Sequence, residues 1–527
     1  MSEDFDVVVA GAGHNSLIAT AYLAKAGLKC LVLEANEEIG GDTSTVELKT
    51  PGFWHDSCST AHNLIQASPT LRDNELHLER YGLNYIYPDP VVHIPFADGG
   101  YITQWRDINR TADEFGKYSK KDASAYRKFI EDYKEIAPAY GKYRYTPAGL
   151  GPSFESLIEA GPNPDLWKQR VASSAAEIVL ETFEDPHVQA FMLWMAFMTI
   201  QPLQQKGTGI LPYSLAFGRQ NNSWVLPKGG SVSLPKALAR YIKAHQGEIK
   251  SGEKVSQLIV KNGKCVGVET EKGDKYLAKK CVLSTIHIKH LIPMMPNNSY
   301  DTGFSQAIDN WDPGIAMFVT HYATKVPLEF PTSDGKVAAV AAGTPGSVSR
   351  MLRVENDIKQ SKLATDDPVL LVLCPTVADQ SRAPAGMHTL KIVGFQPYNP
   401  DSTERDWDQL KQQVADSNFE HLRKFVPSLD RSAIIEEEVR SPLDLERTNS
   451  HNWHGGCHGG AMTPSQSGIN RPAARWSSHR MPLEGLYQTG STTHPGGSVS
   501  GAPGRNAAMV ILEDLGYDAK EILSGAE

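Results

Sequence analysis

Cysteine is scarce in this 527-residue chain: six residues, at 30, 58, 265, 281, 374 and 457, with no C-x-x-C spacing among them. That argues against a zinc ribbon, a redox dithiol motif and a disulfide framework, and leaves free thiols as the expectation. No stripe of Lys and Arg stands out, and 52 Lys+Arg against 61 Asp+Glu give a net charge of −9. A nucleic-acid partner, which needs concentrated basic surface, is therefore not expected. Long hydrophobic runs are lacking as well. The longest, 188–200, contains Gln189 and falls short of the ~20 apolar residues that span a bilayer; peripheral membrane contact stays open. The opening Met1-Ser-Glu-Asp has neither the basic start of a signal peptide nor the Arg-rich character of a transit peptide, so a cytoplasmic protein is expected.

What is present is ordinary globular usage, with 40% hydrophobic and 21% charged residues, in a chain long enough for two or three domains at ~150 residues each. Phe5-Asp-Val-Val-Val-Ala10 reads as a strand, Gly11-Ala-Gly-His-Asn-Ser16 as a glycine turn, and 17–26 as a helix stopped by Gly27. A second apolar run, 29–33, ends at Glu34. This is a βαβ nucleotide-binding unit. Gly11 permits the turn, Gly13 lets backbone approach a pyrophosphate, the helix N-terminus offers its N–H groups, and Glu34 accepts from a ribose hydroxyl. The third glycine of the fingerprint is replaced by Ser16. An acid at position 34 argues against a 2′-phosphate, and hence against NADP.

From 110 to 200 the spacing predicts a mostly helical insertion; Tyr126, Phe129, Ile130 and Tyr133 share one face. The Met- and aromatic-rich stretch 181–198 reads as a buried core helix or as the adaptable wall of a substrate cavity. Residues 254–273 alternate strand-like runs with turn dipeptides and predict a β-meander, followed by a buried strand at 281–285. Strands are expected at 315–320 and 369–373, and a helix over about 403–425 with a Ser402/Thr403 cap signal. The segment 486–512 reads as strand, glycine-rich loop and helix. Its glycines let backbone reach a ligand, and the helix beginning near Ser500 turns its positive end toward it.

A second glycine pair, Gly40-Gly41, follows Glu34 and resembles the signature of FAD enzymes of the glutathione-reductase and amine-oxidase type; Asp42 stands where much of that superfamily has Arg. Together with Pro51-Gly-Phe53, Pro227-Lys-Gly-Gly230, Trp453-His-Gly455, Arg471-Pro472 and 486–512, these motifs resemble the phytoene-dehydrogenase-like flavoproteins. Within them they are most similar to the branch of pyridine nucleotide-disulfide oxidoreductase domain-containing protein 2. The resemblance runs over nearly the whole chain. It implies an α/β fold, a Rossmann-like FAD-binding domain with an interleaved α+β substrate domain. The FAD domain is expected in three pieces, 1–65, 220–290 and 480–527, and the substrate domain in two, 66–219 and 291–479. It also implies non-covalent FAD held at Gly11, Gly13, His14, Asn15, Ser16, Glu34, Ala35, Gly41, Thr43, Ser44, Val255, Gly490, Ser491, Gly497 and Val499.

Catalytic candidates come from His-rich loops. Trp453 and His454 either touch substrate or belong to a structural glycine loop. His494 either exchanges a proton or orders its turn, and His55 and His62 are candidates to line the cavity. His451, His454, Cys457 and His458 would gather ligands only on a helix, which Gly455, Gly456, Gly459 and Gly460 break; no metal is expected. The reading is a phytoene desaturase-like oxidoreductase. It passes hydride from a small apolar organic substrate to FAD and electrons onward to oxygen or a quinone. A non-redox flavoenzyme using reduced FAD (isomerase, lyase or hydratase) and a flavin-bearing binding protein remain as alternatives. The oligomeric state is left open.

Overall fold

The computed structural model describes residues 5–400 and 406–525. The β-branched run Phe5–Ala10 forms the expected first strand, buried along nearly its whole length. It lies parallel to Cys30–Leu33 on one side and to the second half of Lys275–Ser284 on the other. Glu248–Lys250 and Leu486–Gln488 extend the sheet at its two sides, also in parallel. Both faces of a parallel sheet must be covered. Helices His14–Lys25, Ser233–Ala244 and Ala502–Asp514 cover one of them, through Leu17, Leu238 and Ile511 among others. On the other face Leu31 and Val282 meet Ile288, Phe304 and Trp311.

The expected meander is there. Lys264–Thr270 pairs antiparallel with Val255–Lys261 and with the first half of Lys275–Ser284, so one ten-residue strand serves both the meander and the parallel sheet. Gly504 has a packing role in this unit: a Cβ there would come within 2.2 Å of the Asn15 carbonyl oxygen, so helix Ala502–Asp514 lies directly on the first turn of His14–Lys25.

A second seven-stranded sheet runs in the order Ile434–Arg440, Ala316–Thr324, His388–Gln396, Leu370–Leu373, Ala341–Thr344, Val92–Pro95, Tyr101–Gln104. It is antiparallel except where Val92–Pro95 meets Ala341–Thr344. The helices read from the sequence between 110 and 200 pack against it. In Lys120–Arg144, Tyr126, Phe129, Ile130 and Tyr133 are all buried. Pro186–Phe197 is started by the Asp185 side chain, which accepts from the His187 and Val188 N–H groups, and is buried nearly all round. The late helix spans Trp407–Arg423 and is capped by Asp406; the Ser402/Thr403 cap signal lies outside the described residues. Among the described residues no helix is long and apolar enough to cross a membrane.

Candidate active site

The glycine turn between Phe5–Ala10 and His14–Lys25 is held by side chains that the sequence already marks. Gly11 has φ 99°, and a Cβ there would lie 2.3 Å from the Thr285 hydroxyl oxygen, so only glycine fits. Gly13 caps the helix with no side-chain bond to its first turn, and a Cβ there would meet no protein atom within 4 Å. Open space over uncapped N–H groups is what a pyrophosphate requires. Ser16, in place of the third glycine, donates through its hydroxyl to the carbonyls of Gly11 (2.7 Å) and Gly13 (2.9 Å) and so closes the turn. Glu34 accepts from the Ala12 N–H at 2.8 Å and the Asn36 N–H at 3.0 Å, and burial raises its carboxyl pKa.

Two buried polar atoms in this turn have no partner among the described residues: His14 Nε2 and Asn15 Oδ1. Burial lowers the His14 imidazole to about 4, so it is neutral near pH 7. A bound dinucleotide fits this set of open donors, orphaned acceptors and a ribose-height carboxylate.

Asp42 makes no cationic phosphate contact. Its Oδ1 accepts from the side-chain amides of Asn449 and Asn452, each at 2.9 Å, and burial followed by the charge of Cys457 lifts its pKa to about 6. The carboxyl-terminal loop is tied down by Arg471, which is fully buried and donates to the carbonyls of Ser491, Ala461 and Gln466. His451 donates from Nδ1 to the Thr285 carbonyl at 2.9 Å, which leaves Nε2 to accept from the Ser491 hydroxyl.

These parts enclose one cavity of about 1220 Å³. Gly11, Gly13, His14, Asn15, Glu34, Ala35, Gly41, Val255, Gly490, Ser491, Gly497 and Val499 line it. Ser16, Thr43 and Ser44 do not line it and act behind it; the Thr43 hydroxyl donates to the Gly40 carbonyl, and Ser44 bonds Ser57. The far wall is apolar, built from Met198, Ile200, Trp224, Met317, Leu371 and Phe395. The stretch 181–198 thus supplies a core helix, Pro186–Phe197, and at its end, in Met198, part of a cavity wall.

Four polar groups stand in that apolar half. Cys58 and Cys457 adjoin; Cys58 and His458 lower the Cys457 pKa against burial, whereas Cys457 and burial raise that of Cys58. Burial works against charging His458, but Cys457 beside it raises its pKa overall. Lys391 donates to the Asp56 carbonyl at 3.2 Å and to the Cys58 carbonyl. Arg219 is the remaining member. Sequence reading passed over Cys58, Lys391 and Arg219, because nothing local marks them.

The sequence-nominated catalytic residues lie elsewhere. Trp453 and His454 do not line the cavity. Their rings stack on each other at 4.0 Å, with Tyr398 on the outer face of His454 at 4.4 Å. His494 is buried against Tyr143, donates from Nε2 to its carbonyl at 3.0 Å, and is pushed down to about 3 by burial. His55 faces His321, and His62 bonds Ser231 at 2.7 Å; neither lines the cavity, although Cys58 to Ala61 between them do.

The family model for flavin-containing amine oxidoreductases matches residues 17–512. The chain belongs to that family. It is an FAD-dependent oxidoreductase, and FAD is its cofactor. One of the subunits of limonene dehydrogenase from Castellaniella defragrans is 27% identical, over 97% of this chain and 95% of that one. Pyridine nucleotide-disulfide oxidoreductase domain-containing protein 2 of Rattus norvegicus is 24% identical over 98% and 94%. A lycopene-forming phytoene desaturase of Pseudescherichia vulneris is 23% identical over 96% and 99%. Family and branch are thus those that the motifs resemble. A putrescine oxidase solved with putrescine shares the fold, with a TM-score of 0.62, 14% identity, and coverage of 97% and 98%.

Proposed function

We propose that this oxidoreductase is a dehydrogenase or desaturase that removes hydrogen from an organic molecule with an apolar body, with oxygen or a quinone as final acceptor. The continuity of the cavity supports this reading. The residues that fit FAD and the apolar wall of Met198, Ile200, Trp224 and Phe395 line one space, so a substrate in the apolar half has no protein layer between it and the cofactor half. FAD, when bound, supplies the hydride acceptor. The chain holds the substrate, excludes water, and places an ionisable group at its flank. Cys457, which lines the cavity and whose pKa is lowered by Cys58 and His458, is the group suited to exchange a proton there. Gly11, Gly13 and Glu34 serve the nucleotide end, and Gly490, Ser491, Gly497 and Val499 belong to the carboxyl-terminal loop of the signature. We assign residues 1–65, 220–290 and 480–527 to the cofactor unit and 66–219 and 291–479 to the substrate unit.

The test is anaerobic mixing of the purified yellow protein with a panel of apolar terpenoids, fatty acids and amines. Bleaching of the oxidised flavin band by a panel member supports the reading. Turnover that requires pre-reduced flavin yet consumes no stoichiometric reductant would replace it with an isomerase.

A further inference from the structure

Arg219 stands out among the buried charges. It is 7% exposed, sits on helix Ile210–Asn222, and lines the apolar half of the cavity. Its Nη1 donates to the Asn63 side-chain carbonyl, its guanidinium carbon lies 3.5 Å from the centre of the Trp224 ring, and its Nε is buried without a partner. Among the described residues no Asp or Glu forms an ion pair with it. Burial alone lowers its pKa, and only to about 9, so it carries its charge at neutral pH.

The three other deeply buried arginines each have a carboxylate or a set of carbonyls beside them, although Nε and Nη1 of Arg382 are also unpartnered among the described residues. Arg382 pairs with Asp56 at 2.7 Å, Arg350 with Asp357 at 2.7 Å, and Arg471 is wrapped in backbone carbonyls. Taking a cation out of water costs several kcal/mol unless charge and hydrogen bonds are returned to it. At Arg219 one amide oxygen and one aromatic face return part of that, Nε is enclosed without a partner among the described residues, and the residue lines the cavity. The planar fork of a guanidinium matches a carboxylate with two parallel hydrogen bonds. The same cavity is lined by Met198, Ile200, Leu371 and Phe395, which offer only apolar contact.

We infer that the substrate is an apolar molecule bearing one carboxylate, and that Arg219 binds this group. The inference rests on the proposed use of the cavity for substrate, and it narrows the substrate class from apolar compounds in general to apolar acids. Trp224 holds the guanidinium plane and Asn63 fixes its rotation, so the fork is oriented before the acid arrives.

Isothermal titration of the FAD-loaded protein with decanoate and with decan-1-ol tests this. Decanoate is expected to bind about tenfold more tightly than the alcohol, the usual size of a charge-assisted hydrogen-bonded contact. Arg219→Met is expected to bring the ratio close to one while keeping the flavin spectrum, and Arg219→Lys to retain part of it. Equal affinity of the two probes for the unmodified protein overturns the inference, and so does a preference that survives in Arg219→Met. Loss of FAD from Arg219→Met would reassign the guanidinium to the cofactor. The unmodified protein decides the matter even if Arg219→Met does not fold. Anaerobic bleaching of the flavin is read separately, so decanoate that binds in preference to the alcohol while no panel member bleaches the flavin would count against the dehydrogenase reading and not against the acid preference.

Discussion

Arg471 donates to the carbonyl oxygen of Ser491 twice, from Nε at 2.9 Å and from Nη2 at 2.6 Å. The same guanidinium reaches the carbonyls of Ala461 and Gln466 through Nη1. One side chain therefore joins the glycine loop around 458–466 to the signature loop at 490–491, and both loops help line the cavity.

Arg471→Met should leave those carbonyls buried and unpaired, at a cost of about 3 kcal/mol. A lower thermal midpoint and a reduced FAD content are expected together. A variant with normal FAD content would show that the 490–491 loop holds its shape without the clamp.

Gly11 and Gly13 should separate folding from cofactor binding. Gly11→Ala drives a methyl group against the Thr285 hydroxyl at a φ of 99°, and so should lower both stability and FAD occupancy. Gly13→Ala meets no protein atom within 4 Å, so the protein should fold with an unchanged thermal midpoint in the absence of FAD. FAD retention after gel filtration should nevertheless fall sharply, since the methyl group would occupy the space over the helix N-terminus. Full FAD retention in Gly13→Ala would remove the pyrophosphate from that spot.

The raised pKa of Asp42 gives a pH-dependent penalty with a definite sign. Its carboxyl titrates at about 6 when folded, against an ordinary 3.8. The folded state thus holds the proton more tightly, and the stability this contributes is complete below the unfolded value and is lost as pH rises to about 6. Asp42→Asn should be more stable than the unmodified protein at pH 8 by up to about 3 kcal/mol, and no more stable at pH 4. Thermal melts at the two pH values check it; a difference that ignores pH would mean the amides of Asn449 and Asn452 fully compensate the charge.

Cys457 should be the thiol that alkylates first. Cys58 and the neighbouring His458 lower its pKa, whereas burial raises the thiols of Cys30, Cys265 and Cys281 well above the ordinary thiol range. Iodoacetamide at pH 6.5, followed by peptide mass spectrometry, should label 457 ahead of the others, and His458→Ala should slow it. Uniform labelling would contradict the lowered pKa of Cys457.

The nucleotide half of the site was legible in the amino-acid sequence because its constraints are local. A turn that needs φ 99° at Gly11, a cap without a side chain at Gly13 and an acid at the end of the next strand all fall at fixed offsets along the chain. The other half was not, because Cys58, Arg219, Lys391 and Cys457 come from separate elements and meet only through tertiary packing. His494 illustrates the difficulty. It sits beside a glycine signature, where a proton-transfer role is a natural reading, yet the loop turns its ring onto Tyr143 and away from the cavity. Ser16 read as a departure from the fingerprint, but its hydroxyl braces the turn that a third glycine would have left unsupported.

The parallel sheet sets the order in which this molecule can come into being. Phe5–Ala10 must wait for Lys275–Ser284, which in turn takes Leu486–Gln488 as its outer neighbour, and Gly504 settles on the Asn15 carbonyl later still. Contacts this distant in sequence close slowly. On the ribosome, the first strand therefore emerges long before the residues that finish its binding site, and flavin capture is among the last events of biosynthesis rather than a nucleus for it.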